Sequence, residues 1–197
     1  LRNSLTGARM AVELHAGQCK QGDDEGLEVA IHQIELSEDN VRRLLEVASG
    51  RQHEDRPQLA GQCISDIRKS LSPIARHLRI DIQWDIADEA NGFPLRDGPA
   101  WAAAVTNLVH NAMQAGDRVR VTVKPTDTEQ LVVRVADNGN GVPDQVAGEL
   151  FEPFVTSKPE GMGLGLSVAR RAAKHLGGEV HWKREDNWTI FEMTASK

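Results

Sequence analysis

The chain is 197 residues long, 40% hydrophobic and 26% charged, with a formal net charge of −6. That leaves room for one large domain or for a small module beside a domain of ordinary size, and the balance is globular rather than disordered. With no Lys/Arg-rich block, a nucleic-acid surface is excluded. No apolar run nears the ~20 residues that cross a bilayer, so no membrane contact is expected of this segment. Cys19 and Cys63 stand far apart with no CxxC spacing. A reducing, cytoplasmic setting is therefore expected rather than a disulfide framework.

Residues 1 to 48 read as two helices. Leu1, Leu5, Ala8, Val12, His15 and Cys19 step by alternating fours and threes, and Leu27, Ile31, Ile34, Glu38, Val41, Leu45 and Ala48 repeat the pattern. Such a seam suits helices packed lengthwise. The stretch "GQCKQGDDEG" between them carries turn and helix-start residues. A hairpin this short has too little surface of its own to cover its apolar stripe. The expectation is a homodimer built on a four-helix bundle, the alternative being a hairpin packed on its own second domain. This first domain is placed at 1–50, and "SGRQHEDRPQLAG" reads as a linker over 51–61.

Beyond it the texture turns to mixed α and β. "QCISDIRKSLSPIARHL" has helical spacing, with a kink possible at Pro73. "IDIQWDI" alternates as a strand does. "RVRVTVKP" and "EQLVVRVAD" form one expected hairpin, and "GEVHWKR" with "NWTIFEMTA" another. Antiparallel strands interrupted by three helices imply an α/β sandwich over 57–197, with helices covering one face of the sheet.

Four features of this part bear on chemistry. In "WAAAVTNLVHNAMQAG", Trp101, Val105, Leu108 and Ala112 make a buried stripe, while Asn107 and Asn111 sit four apart on a neighbouring face. Asparagine is a poor helix former, and its amide oxygen suits Mg²⁺; two exposed asparagines is the plainer reading. In "VADNGNGVP" a strand ends at Asp137, whose carboxylate could accept from an exocyclic amine, with Gly139 and Gly141 turning closely around a flat ligand; Asp-Asn-Gly is also ordinary turn chemistry. "FEPFVTSKPEGMGLGLSVARR" runs a glycine-rich loop into a helix start, where free N–H groups meet phosphate, and sets the mobile cation Lys158 nearby. Thr189 lies in the last strand.

Taken in order, these stretches resemble the Bergerat-type ATP-binding domain of the GHKL superfamily, shared by histidine kinases, gyrase, mismatch-repair ATPases and a heat-shock chaperone. "NLVHNA" is similar to the N box, "DNGNG" to the first glycine box, "FEPF" to the F box, "GMGLGL" to the second glycine box and "TIF" to the closing T-x-F. The resemblance implies ATP and Mg²⁺ as ligands. Asn111 would coordinate Mg²⁺, Asn107 would assist at the phosphates, and Asp137 would hold the adenine amine with Thr189 helping through a water. Gly139 and Gly141 would shape the base pocket. Gly161, Gly163, Leu164, Gly165 and Leu166 would surround the phosphates, and Lys158 would reach them from a short lid like that of nitrogen-regulation sensor kinases. One departure is Asn187-Trp188, where a glycine pair is usual.

Gyrase and mismatch-repair relatives place a glutamate four residues before the Mg²⁺ asparagine, as general base for water; here that position is Asn107. An amide takes no proton from water, so transfer to another nucleophile is expected. Leu1-Arg2-Asn3-Ser4-Leu5-Thr6 resembles the remainder of a histidine-kinase H box, H-E-[LI]-R-N-P-L-T, with Ser4 in place of Pro. The phospho-accepting histidine is then expected two residues before Leu1. Asn3 would orient water during dephosphorylation of a response-regulator receiver domain. The segment as it stands is expected to bind Mg-ATP without phosphorylating itself. The expected function is the cytoplasmic core of a dimeric sensor histidine kinase. The alternatives are a GHKL ATPase or protein-serine kinase with an oligomerisation arm, or a nucleotide-binding switch.

Overall fold

The computed structural model describes residues 55–158 and 163–197. The expected hairpin over 1–50, Asn3 and Gly161 lie outside the described residues. In chain order the elements are β1 (Gln58–Leu59), α1 (Ala60–His77), β2 (Asp81–Ile86), α2 (Asp88–Asn91), β3 (Pro94–Leu95) and α3 (Gly98–Ala115). There follow β4 (Arg118–Pro125), β5 (Gln130–Asp137), α4 (Asp144–Ala147), α5 (Gly165–His175), β6 (Val180–Glu185) and β7 (Trp188–Ser196).

Five strands form one sheet in the order β2-β4-β5-β7-β6, with β2 parallel to β4 and every other pair antiparallel. Because side chains alternate along a strand, the register lines up whole rows on one face. Ile86, Val123, Val133, Met193 and Val180 form one such row across all five strands, and Trp84, Val121, Val135, Phe191 and Trp182 form the next. Most of these side chains are buried, and each fully buried aliphatic one contributes about 1.5–3 kcal/mol. The opposite face is polar: Arg134 pairs with Glu192 across β5 and β7, and the Arg120 guanidinium lies 5.1 Å from the Trp188 ring centre. One-sided burial therefore sets the layer order, with the helices on the apolar face as expected.

The row at the next level changes character. It runs Ile82, Val119, Asp137, Thr189, Arg184. Asp137 and Thr189 hold positions that the alternation would otherwise fill with apolar side chains, and both are buried. A polar patch thus ends the hydrophobic face.

α3 is the central helix. Trp101, Val105, Leu108 and Ala112 are buried along it, as the sequence stripe predicts. Asp97 caps its start by accepting from the Ala100 N–H at 3.1 Å. The other Asp97 oxygen lies 3.3 Å from His175 at the end of α5, and His175 is also 3.0 Å from Asp55, which pairs with Arg96 at 3.1 Å. This four-residue ion cluster fixes the start of α3 against the end of α5.

α1 runs through Pro73 without ending. The proline is on the exposed side, while Leu71, Ile74 and Ala75 on the buried side hold the helix to the core. The expectation of a linker reaching residue 61 needs correction. Gln58 and Leu59 pair with Leu95 and Pro94, and α1 begins at Ala60, whose N–H donates to the Phe93 carbonyl at 2.9 Å. Ala60 is fully buried, so packing overrides the local Gly and Pro signals.

Candidate functional site

The site lies where the polar end of the sheet meets α3 and the loop entering α5. Asn107 and Asn111 occupy one edge of α3, half-buried, beside the stripe that packs into the core. The Asn107 amide donates back to the Ala103 carbonyl at 2.8 Å, which satisfies a side chain that would otherwise compete with the helix. A Cβ placed on Gly165 would sit 3.3 Å from the Asn107 Oδ1, so the first residue of α5 closes against this amide.

Asn111 Oδ1 accepts from the Lys158 ammonium at 2.9 Å, and Gln114 Oε1 accepts from the same nitrogen at 2.8 Å. Sequence reasoning missed Gln114, although it lies three residues past Asn111, on the same side of a helix. Burial lowers the Lys158 pKa, and the negative charge of Asp137 works against that shift. Two amide oxygens of α3 are therefore already aimed at a positive charge.

Asp137 stands at the base of the patch, 1% exposed. Its Oδ1 accepts from the Gly139 N–H at 3.0 Å. Burial raises its pKa above the ordinary carboxylate value; the Gly139 N–H, Arg184, the Thr189 hydroxyl and Lys158 each pull the other way. Gly139 must be glycine, since a Cβ there would lie 2.3 Å from the Ala115 carbonyl oxygen at the end of α3. Asn138 turns away to brace the strand start, accepting from the Arg118 N–H and donating to Asp117.

The F-box stretch is anchored from below. Phe151 meets Phe191 edge-to-face at 6.4 Å, and Arg170 on α5 pairs with Glu152 at 2.7 Å. Gly163 has φ of +65° and its carbonyl accepts from the Phe154 N–H at 3.0 Å; a Cβ would sit 2.5 Å from the Phe154 carbonyl carbon. Leu164, Gly165 and Leu166 then open α5, with the Leu164 carbonyl accepting from Val168 and from the Ser167 hydroxyl.

The structure thus gathers Asn107, Asn111, Lys158 and Gly165 at one end, and Asp137, Gly139, Gly141 and Thr189 at the other. It adds Arg184, which sequence reasoning missed. Arg184 Nη1 donates to the Gly139 carbonyl at 2.8 Å and to the Thr189 hydroxyl at 2.7 Å. The departure at Asn187-Trp188 is explained as well. Asp186 and Asn187 have φ of +46° and +65°, so β6 and β7 join through a two-residue turn in the left-handed region, which Asn and Asp tolerate better than most residues.

A family profile described as histidine kinase-, DNA gyrase B-, and HSP90-like ATPase matches residues 96–197, just over half of the chain. The chain belongs to that family. Within it, the C4-dicarboxylate transport sensor protein DctS of Rhodobacter capsulatus is 31% identical over 150 residues, covering 70% of this chain and 22% of that protein. The sensory histidine kinase/phosphatase NtrB of Azospirillum brasilense is 26% identical over 213 residues, covering 98% of this chain and 52% of that protein. The chain spans about a fifth to a half of the length of such relatives. Among solved structures, the catalytic domain of histidine kinase ThkA is similar at a TM-score of 0.66 and 23% identity, over 74% of this chain and 97% of that one. Full-length ShkA in complex with AMPPNP gives 0.69 and 22%, over 98% of this chain and 43% of that one. At these identities the structural likeness speaks for the fold, the α/β sandwich expected of GHKL proteins.

Proposed function

We propose that the chain is the core of a sensor histidine kinase, binding Mg-ATP and passing its γ-phosphate to a histidine, then to an aspartate of a response-regulator receiver domain. The observation that carries this reading is Asn107. It stands one helical turn before Asn111, and its amide nitrogen is engaged with the Ala103 carbonyl, leaving no group there that could take a proton from water. The Asp137 carboxylate already accepts from the Gly139 N–H, and Arg184 and Lys158 both act on its charge. A site that, among the described residues, sets an amide where a base for water would stand suits transfer to an incoming side chain. The matched family and the sensor-kinase relatives support the same reading.

In this account Asp137 accepts the exocyclic amine of adenine, and Gly139 and Gly141 line the base. The N–H groups opening α5 and the Lys158 ammonium face the phosphates. Asn111 fits Mg²⁺, because its oxygen already accepts from a cation. Asn107 assists beside it, and the bound ion would supply charge neutralisation at the phosphates. Once phosphate is bound, Lys158 has an alternative partner to Asn111 and Gln114, and moves to it. Dimerisation through residues 1–50, a dephosphorylation role for Asn3 and a cytoplasmic setting belong to the same proposal. So does a place for Gly161 in the phosphate loop.

The test is Mg-ATP titration by calorimetry on the chain and on Asn111→Ala and Asp137→Asn. Loss of affinity in both supports the site. Unchanged affinity in both sinks it.

A further inference from the structure

The polar row Asp137, Thr189, Arg184 crosses three adjacent strands at matched register, β5, β7 and β6. Arg184 sits on the edge strand, two residues before the tight turn, and no motif of the family covers it in the sequence reading. Its guanidinium nevertheless reaches inward to two acceptors, the Thr189 hydroxyl and the Gly139 carbonyl, and lies 3.3 Å from the point where a Cβ of Gly141 would be.

A threonine hydroxyl has one proton to give and two lone pairs to fill. Arg184 fills a lone pair, so the Thr189 proton is left to point toward Asp137, its cross-strand neighbour, whose carboxyl it helps to hold down. Asp137 also accepts from the Gly139 N–H. With both local donors aimed at the carboxylate, what remains open to a ligand is acceptor capacity. An acceptor takes an amine and repels a carbonyl oxygen. Without Arg184 the hydroxyl is free to rotate, and the buried carboxylate loses a neighbouring positive charge that opposes its protonation.

We propose that Arg184 is a specificity-determining positioning residue, which fixes the proton direction of the Asp137–Thr189 pair so that the site takes a 6-aminopurine and rejects a 6-oxopurine. This rests on the reading of Asp137 as the group that meets the base. Among the described residues, the charged groups acting on Asp137 are Arg184 from β6 and Lys158 from the loop before α5, beside Thr189 from β7 and the Gly139 N–H.

The experiment measures Mg²⁺-dependent affinity for ATP and for inosine triphosphate, which differ at the 6-position, from about pH 5 to pH 8. It uses the whole chain and the variants Arg184→Gln, Arg184→Lys, Thr189→Val and Asp137→Asn. Arg184 is exposed along most of its length, so Arg184→Gln should fold, as its melting temperature will show. The expected result is an ATP preference narrowed about tenfold in Arg184→Gln, on the scale of one lost charged hydrogen bond. Its loss of ATP affinity on acidification should begin at higher pH, because removing a positive neighbour makes Asp137 easier to protonate. Arg184→Lys should restore the acid limb, which needs charge, but only part of the preference, which needs the planar Nη1 held against both acceptors. Thr189→Val should narrow the preference without moving the acid limb as far. If Arg184→Gln changes neither the preference nor the acid limb while Asp137→Asn abolishes the preference, Arg184 is a strut of the turn and the proposal is overturned. If Asp137→Asn itself leaves the preference intact, the base-binding reading beneath it is the part that fails.

Discussion

Replacing Asp137 with asparagine should stabilise the fold while weakening nucleotide binding. The side chain is 1% exposed, and burial is the leading influence on its carboxyl, raising the pKa despite Gly139, Arg184, Thr189 and Lys158. A carboxyl that is a weaker acid folded than unfolded holds its proton more tightly in the native state. Its contribution to stability is therefore best at low pH, and is lost as pH rises through the folded-state value. Each tenfold weakening of the acid corresponds to about 1.4 kcal/mol of stability lost at neutral pH. Asparagine keeps the shape and the acceptor for the Gly139 N–H but carries no charge. The variant should gain on the order of 1 kcal/mol at pH 7, or about 2–4 °C in melting temperature. That gain should shrink on acidification and vanish only below about pH 3, under the unfolded-state value of about 3.9, where the wild-type carboxyl is protonated in both states. ATP affinity should fall roughly 10- to 100-fold, the range for a hydrogen bond to a charged group. Thermal melts of both proteins across this pH range, with titrations at pH 7, make the check. A variant that melts lower at pH 7, or a gain that does not depend on pH, refutes the reasoning.

Asn111→Ala should abolish the Mg²⁺-dependent part of ATP affinity while leaving the melting temperature within about 2 °C, since the residue is only half-buried; calorimetry with and without Mg²⁺ reads this. Gly163→Ala should displace the loop carrying Lys158, because a Cβ meets backbone at 2.5 Å and φ is +65°, and should cost about 1–2 kcal/mol of ATP binding by titration. Asp97→Ala removes the α3 cap and a partner of His175 together, and should lower the urea midpoint by an amount equal to about 1–2 kcal/mol. Leu108→Ala, at a fully buried position of α3, should destabilise by about 2–5 kcal/mol in the same assay.

Much of the sheet was legible because alternation is local. The Val119, Val121, Val123 series, the Leu131, Val133, Val135 series and the last hairpin show a buried face in the sequence itself, and the structure returns them as strands. α3 was legible for the same reason, through its apolar stripe and the two asparagines beside it. What was not legible depends on distance along the chain. Asp55, Asp97 and His175 meet only after α5 packs on α3, and nothing in their neighbourhoods announces it. The β1–β3 pair has two residues in each strand, too short for any period. Arg184 was recoverable in principle. A two-residue turn at Asp186-Asn187 forces Arg184 opposite Thr189, and Thr189 opposite Asp137, so counting register would have brought it into the site.

The central claim is phosphate transfer to histidine, and its most direct test adds the acceptor that the H-box resemblance asks for. A chain extended at its N-terminus by a helical segment ending in His-Glu, so that His-Glu precedes Leu1-Arg2-Asn3, is incubated with γ-labelled ATP and Mg²⁺. The account predicts protein-bound label that survives base and is lost in acid, absent when the added histidine is replaced by glutamine and absent in Asn111→Ala. Mg-ATP binding with no such label would contradict it, and would leave a nucleotide-binding switch or a hydrolase in its place.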